Sequence, residues 1–133
     1  MKWIWPLCLL MLVGCTLPEI KKIELTVEKE MLYDALKNIG DYEEVEIKQQ
    51  STVFKSDVTN VVHILLTNPS VEVTDNAQRY EHARKAALLT VNSIENHSDY
   101  DFFLVTFIER TQIGKYFNNK IQRVKFTLGD LKL

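Results

Sequence analysis

Apolar positions along the chain fall into runs of different period, and each period predicts a different element. Residues 3–11 are almost wholly apolar, interrupted by Pro6. From residue 20 onward Ile23, Leu25 and Val27 alternate with polar neighbours, the period-two pattern of a half-buried strand. Met31, Leu32, Ala35, Leu36 and Ile39 then recur at helical spacing, with Gly40 where a left-handed C-cap belongs, predicting a helix over residues 28–39. A start at Thr26 as N-cap is the alternative. Tyr42, Val45 and Ile47 open a second strand running to Phe54, whose polar middle, Lys48-Gln49-Gln50-Ser51, predicts a bulge or an exposed edge. A turn is expected at Lys55-Ser56-Asp57. Residues 58–67 predict a third strand, apolar on both faces from Val61 to Leu66 except at His63, as an inner strand would be. Asn68-Pro69-Ser70 ends it.

The clearest helix follows. Thr74, Asp75 and Asn76 are good N-caps. Ala77, Tyr80, Ala83, Ala87, Val91 and Ile94 make one stripe at spacings of three and four, with Arg79, Glu81, Arg84, Lys85 and Glu95 off it. The helix is expected to end near Asn96. Residues 102–108 form a strand bulky on both sides: Phe102, Leu104 and Ile108 share one face, Phe103, Val105 and Phe107 the other. The last strand spans residues 121–128, and the hairpin before it turns either near Gly114 or at Asn118-Asn119, the Asn pair being favoured because two consecutive residues tolerate positive φ. The order is β-α-β-β-α-β-β. Two helices of this size pack most simply on one face of the sheet, which predicts an α+β two-layer sandwich. The first six elements resemble a ferredoxin-like plait, with the last strand added at an edge. The helix-free face is then expected to present an apolar interaction patch, for which Phe103, Val105 and Phe107 are the candidates.

The N-terminal run has Lys2 before it and Leu12-Val13-Gly14-Cys15 after it. It is too short to span a bilayer, which needs roughly 20 apolar residues. Its ending resembles the lipobox of bacterial lipoprotein signals. The resemblance implies a signal peptide at residues 1–14, cleavage before Cys15, acylation of Cys15, a lipidated tether at residues 15–22 and a single domain at 23–133. Each buried CH₂ adds about 0.8 kcal/mol, so several acyl chains make a lasting membrane anchor. Thr16 is not the Asp that retains such proteins in an inner membrane. The resemblance therefore implies a cell-envelope location, on the periplasmic side of the outer membrane in a Gram-negative source.

Charge and cysteine usage narrow the picture. The chain carries 16 basic and 18 acidic residues, a net −2, and removal of Lys2 makes it −3. That balance argues against nucleic acid as a partner. Cys8 leaves with the signal and Cys15 is taken by lipid, so the processed domain has no thiol left for a disulfide and its stability rests on its core. Trp3 and Trp5, the chain's two tryptophans, also leave.

Catalytic motifs are not found. His97, Ser98 and Asp99 are chain neighbours, whereas a triad needs three side chains converging from separate segments. His63, His82 and His97 lack the partners and spacing of a zinc motif, and no metal or cofactor is expected. Asp41, Glu43, Glu44 and Glu46 read as a solvated acidic edge. With so few glycines, phosphate-cradling loops are ruled out. Lys115, Lys120, Arg123 and Lys125, close to Tyr116 and Phe117, are the candidate anion contacts, for lipid headgroups, lipopolysaccharide or a wall polymer. Three functional expectations result: a non-catalytic anchored protein touching another protein or a second copy of itself; a binding module for an anionic envelope component; and a hydrolase built around His63 or His97.

Overall fold

The computed structural model describes residues 22–69 and 75–131. The expected signal, Cys15, most of the tether, Ser70 and Thr74 lie outside the described residues. Helix α1 (Lys29–Lys37) is followed by β1 (Glu44–Phe54), β2 (Asp57–Thr67), α2 (Asn76–Asn92), β3 (Phe102–Ile113), β4 (Tyr116–Phe126) and a short α3 (Leu128–Leu131). The four strands form one sheet in the order β1-β2-β3-β4. β1 and β2 are antiparallel, as are β3 and β4; β2 and β3 are parallel. A parallel pair cannot be joined by a tight turn, and α2 supplies the crossover. The result is an α+β domain with a mixed sheet.

Burial tells the two faces of the sheet apart. Val62, Ile64 and Leu66 of β2 alternate with half-exposed Val61, His63 and Leu65, and the buried set packs with Leu32 and Leu36 of α1 and Ala83, Ala86, Ala87 and Val91 of α2. Small residues let α2 lie close on the strands. Asp75 caps it, accepting from Ala77 N at 3.0 Å. Its buried stripe is phased differently from expectation: Ala77 and Tyr80 are exposed, while Ala86 and Thr90 are buried. The helix also stops at Asn92, because the chain turns at Ser93 and drives Ile94 into the core.

The expected first strand does not form. Leu25 makes one isolated bridge, to Ile94, and the segment is tied to the end of α2 by Thr26 N to Ser93 O (2.8 Å) and Glu95 N to Glu24 O (2.7 Å). β2 and β3 pair directly, so no inner position is open to it. The observed order, α-β-β-α-β-β-α, therefore differs from the β-first order expected, and a ferredoxin-like plait lacks its first strand among the described residues.

Three local expectations are also corrected. Asp41 (φ 48°), rather than Gly40, adopts the left-handed conformation after α1. Gly40 is required for space: a Cβ there would lie 3.0 Å from His82 Cε1 and 3.0 Å from Tyr42 Cε2. The β3–β4 hairpin turns at Gly114-Lys115, not at Asn118-Asn119, and Ile113 pairs with Tyr116. Gly114 takes φ 61° with no Cβ to oppose it, whereas the asparagines pair within the ladder with Thr111 and Arg110. Finally, Leu128 leaves the strand to start α3. Thr127 N donates to Asp130 Oδ2 (2.9 Å) and Asp130 N to Thr127 Oγ1 (3.2 Å), a reciprocal cap that turns the chain.

Candidate interaction surface

Sheet alternation assigns each candidate side chain to a face. Phe103, Val105 and Phe107, expected as the interaction patch, are 0%, 0% and 6% exposed and belong to the core beneath the helices. The helices land on that phase of β3, which leaves Phe102, Leu104 and Ile108 on the open face. Val61, His63 and Leu65 of β2 join them, with Val61 beside Phe102 and His63 beside Leu104. These residues form a half-exposed apolar stripe across the two inner strands.

Charged residues border the stripe on both outer strands. On β1, Lys48 pairs with His63 and Glu46 with Leu65. On β4, Lys125 pairs with Leu104 and Arg123 with Thr106. Lys125 Nζ lies 3.7 Å from the centroid of the Phe102 ring, a cation–π contact that also shields that ring. Gln50, Thr52, Val61, His63, Leu104 and Lys125 help line a shallow depression of about 240 Å³. Burial holds the His63 imidazole below its ordinary pKa, and the nearby Arg123 and Lys48 push it the same way. His63 is thus held towards its neutral form on a surface otherwise edged by charge.

The four hairpin cations do not act as one group. Lys115 lies in the turn. Lys120 alternates with Arg123 and so points from the opposite face. Arg123 and Lys125 alone share the open face, about 7 Å apart at the rise of an extended strand. Lys48 is the cation that sequence reasoning missed. The polar run 48–51 predicted a bulge or an exposed edge; β1 is an edge strand and continues through the run in register, which carries Lys48 to His63. Only the strand pairing, not the local sequence, could supply that neighbour.

Elsewhere the titratable groups are dispersed. Tyr42 Oη lies 3.0 Å from His82 Nδ1, and burial pushes the Tyr42 hydroxyl up to about 12 despite Arg79. The His82 imidazole is lowered, mainly by burial. His97, Ser98 and Asp99 follow one another along a single 3₁₀ turn and do not converge. Within the acidic run, Asn68 Nδ2 donates to Glu43 Oε2 at 2.9 Å, and Lys48 pairs with Glu46 at 3.6 Å. Among the described residues no three His, Cys, Asp or Glu side chains are grouped to hold a metal. No described helix is long and apolar enough to cross a membrane.

The end of the β3–β4 hairpin extends beyond the last β2–β3 pair, Thr67 and Ile108. There Tyr116 and Phe117 are 80% and 64% exposed, with Ile113 beside them. The other hairpin tip exposes Val53 and Phe54. The two turns lie at opposite ends of the sheet, because β2 and β3 are parallel and each hairpin closes at a different end of its inner strand. No protein-family model, curated protein or solved structure matches the chain.

Proposed function

We propose that this chain is a lipid-anchored protein of the bacterial cell envelope, held through Cys15, which works without catalysis by contact of its open sheet face with a protein surface. The observation that carries the reading is the stripe of Val61, Leu65, Phe102, Leu104 and Ile108 bordered by Lys48, Arg123 and Lys125. An apolar centre with a charged rim is the common make-up of a protein interface. The lipobox-like Leu12-Val13-Gly14-Cys15 supports the anchor and the envelope location, with the outer membrane favoured in a Gram-negative source. A second reading takes the paired Arg123 and Lys125 as contacts for an anionic envelope component.

A photo-activated cross-linker at Leu104, in the full chain in its own membranes, tests the first reading. Adducts are expected from position 104 and not from Lys85, on the exposed side of α2. Equal adducts from both positions, or none from position 104, would remove it. Mass spectrometry of the same material is expected to find a chain beginning at acylated Cys15. The second reading predicts binding to an anionic polymer that weakens steeply with salt and is lost in R123E/K125E.

A further inference from the structure

The sheet has two free edges, and they carry opposite charge. β1 forms one and β4 the other, and each is 11 residues long. Residues 102–126, the β3–β4 hairpin, hold five cations (Arg110, Lys115, Lys120, Arg123, Lys125) and one carboxylate, Glu109. Residues 22–46, which lead through α1 into β1, hold eight carboxylates and three lysines. The edge strands themselves keep the contrast: β4 holds three cations and no carboxylate, β1 two carboxylates and one lysine.

Alternation and register sharpen this contrast. Glu44 and Glu46 lie two residues apart on the open face of β1, and Arg123 and Lys125 lie two residues apart on the open face of β4. β1 is antiparallel to β2, β2 parallel to β3, and β3 antiparallel to β4, so the two edge strands run in the same direction. A free edge is a ready template for another chain. β4 carries three cations and no carboxylate, so two β4 edges together would crowd like charges, which are destabilising across a strand pair. Two β1 edges can set Glu46 against Lys48 but leave Glu44 with no cation to face. Unlike edges attract.

We infer that copies of this chain associate side by side, the β4 edge of one against the β1 edge of the next, with Arg123 and Lys125 facing Glu44 and Glu46. The register is selective. Straight across the sheet, Arg123 is level with Glu46 but Lys125 is level with Lys48. A slip of two residues, about 7 Å, faces Arg123 with Glu44 and Lys125 with Glu46, and leaves Lys48 beside Thr127. Two existing contacts compete with this arrangement: the Lys48–Glu46 pair at 3.6 Å and the Lys125–Phe102 contact. Tyr33 Oη already accepts from Ile47 N at 3.0 Å, so charged side chains rather than an unbroken backbone ladder carry the interface. The contact is head-to-tail, so it grows into a row unless its rotation closes a ring. The inference rests on the reading that the protein works by contact rather than catalysis, and it adds an edge-to-edge contact with a second copy beside the open-face contact.

The test uses the full chain in its own membranes, prepared from equal amounts of heavy-isotope-labelled and unlabelled protein. A zero-length carbodiimide reagent is expected to join Lys125 to Glu46 in peptides of mixed isotope. Within one copy β1 and β4 are three strand spacings apart, about 14 Å, too far for a direct amide. E44K/E46K and R123E/K125E, each checked for folding by circular dichroism, are expected to self-associate at least about tenfold more weakly than the parent. Mixed together they are expected to recover association, because every facing pair is again of opposite sign. Absence of the mixed-isotope product at low salt would overturn the inference. So would two variants that associate as well as the parent, or a mixture that recovers nothing. Cross-links from Leu104 to a different protein alongside those negatives would remove this inference and leave the contact reading standing.

Discussion

The two hairpins of the sheet have strands of nearly equal length and two-residue turns, yet they are specified differently. β1–β2 turns at Lys55 and Ser56, both with positive φ (49° and 72°) and neither a glycine. That is the backbone of a type I′ turn, which ordinarily calls for Asn-Gly. β3–β4 turns at Gly114 (φ 61°) and Lys115, with the glycine first, as a type II′ turn requires. In the first hairpin the turn opposes the fold and the register comes from the strands, above all from Val62, Ile64 and Leu66, which are fully buried. In the second, turn chemistry and strand burial agree. Charge divides them too: residues 44–67 hold three carboxylates and two lysines, while residues 102–126 hold one carboxylate and five cations. A hairpin can therefore tolerate a poor turn if one strand is anchored in the core, and the edge left outside is free to carry other information.

The largest effect should separate the buried end of the cationic hairpin from its exposed end. Phe103 is fully buried, so Phe103→Ala is expected to cost about 3–5 kcal/mol in urea unfolding. Phe117, on the same hairpin and 64% exposed, should cost no more than about 0.5 kcal/mol when changed to Ala. Comparable losses at the two sites would mean that the projecting tip is covered in solution, by a second copy or by the segment before Lys22.

The turns give a smaller effect of opposite sign. Ser56→Gly removes a left-handed non-glycine residue and is expected to stabilise the fold by about 0.5 kcal/mol, the relief being partly offset by the greater freedom of glycine in the unfolded chain. Gly114→Ala puts a Cβ at positive φ and is expected to destabilise by about 1 kcal/mol, although nothing lies within 4 Å of that Cβ. Thermal unfolding of the two variants measures both. A loss at Ser56→Gly would show that Ser56 makes a contact in solution that offsets its backbone strain.

Several elements were legible in the sequence because one signal sufficed for each. Helix α2 has an Asx cap and a long periodic run, and β3 is apolar at every position but Thr106 from Phe102 to Ile108, so neither depended on knowing its neighbours. The turn at residues 55–57 was legible because two periodic runs end there. The first strand failed because Ile23, Leu25 and Val27 alternate as a strand does, yet alternation cannot say whether a partner edge is vacant; β2 and β3 had already paired. The choice of residues for the open face failed for a related reason. Phe102 and Phe103 are equivalent in sequence, and only the landing of the helices decides which is core. The arrangement of the four hairpin cations was not legible, because cations close in sequence take three directions on an alternating strand. His63 was legible as an isolated polar residue in an inner strand, but not its company.

That company gives the smallest and most local prediction. His63 sits on β2, between Lys48 of the acidic hairpin and Leu104 of the cationic one, with Arg123 and Lys125 beyond and Glu46 on β1. Burial lowers its pKa first, and Arg123 and then Lys48 lower it further. A histidine lowered in the folded state is protonated more readily when unfolded. Its contribution to stability is therefore fully present above pH 6.5 and is lost as the pH falls through the folded value. The stability difference between parent protein and His63→Gln should be constant around pH 8 and shift on acidification, the parent losing more; the comparison between them cancels the similar behaviour of His82. Arg123→Gln separates the two causes. Removing that guanidinium should move the His63 ring titration, followed by NMR, upward towards 6.5 while leaving burial unchanged. If the titration does not move, the charge of the β4 edge does not reach across β3, and each hairpin then acts on the open face only through its own strand.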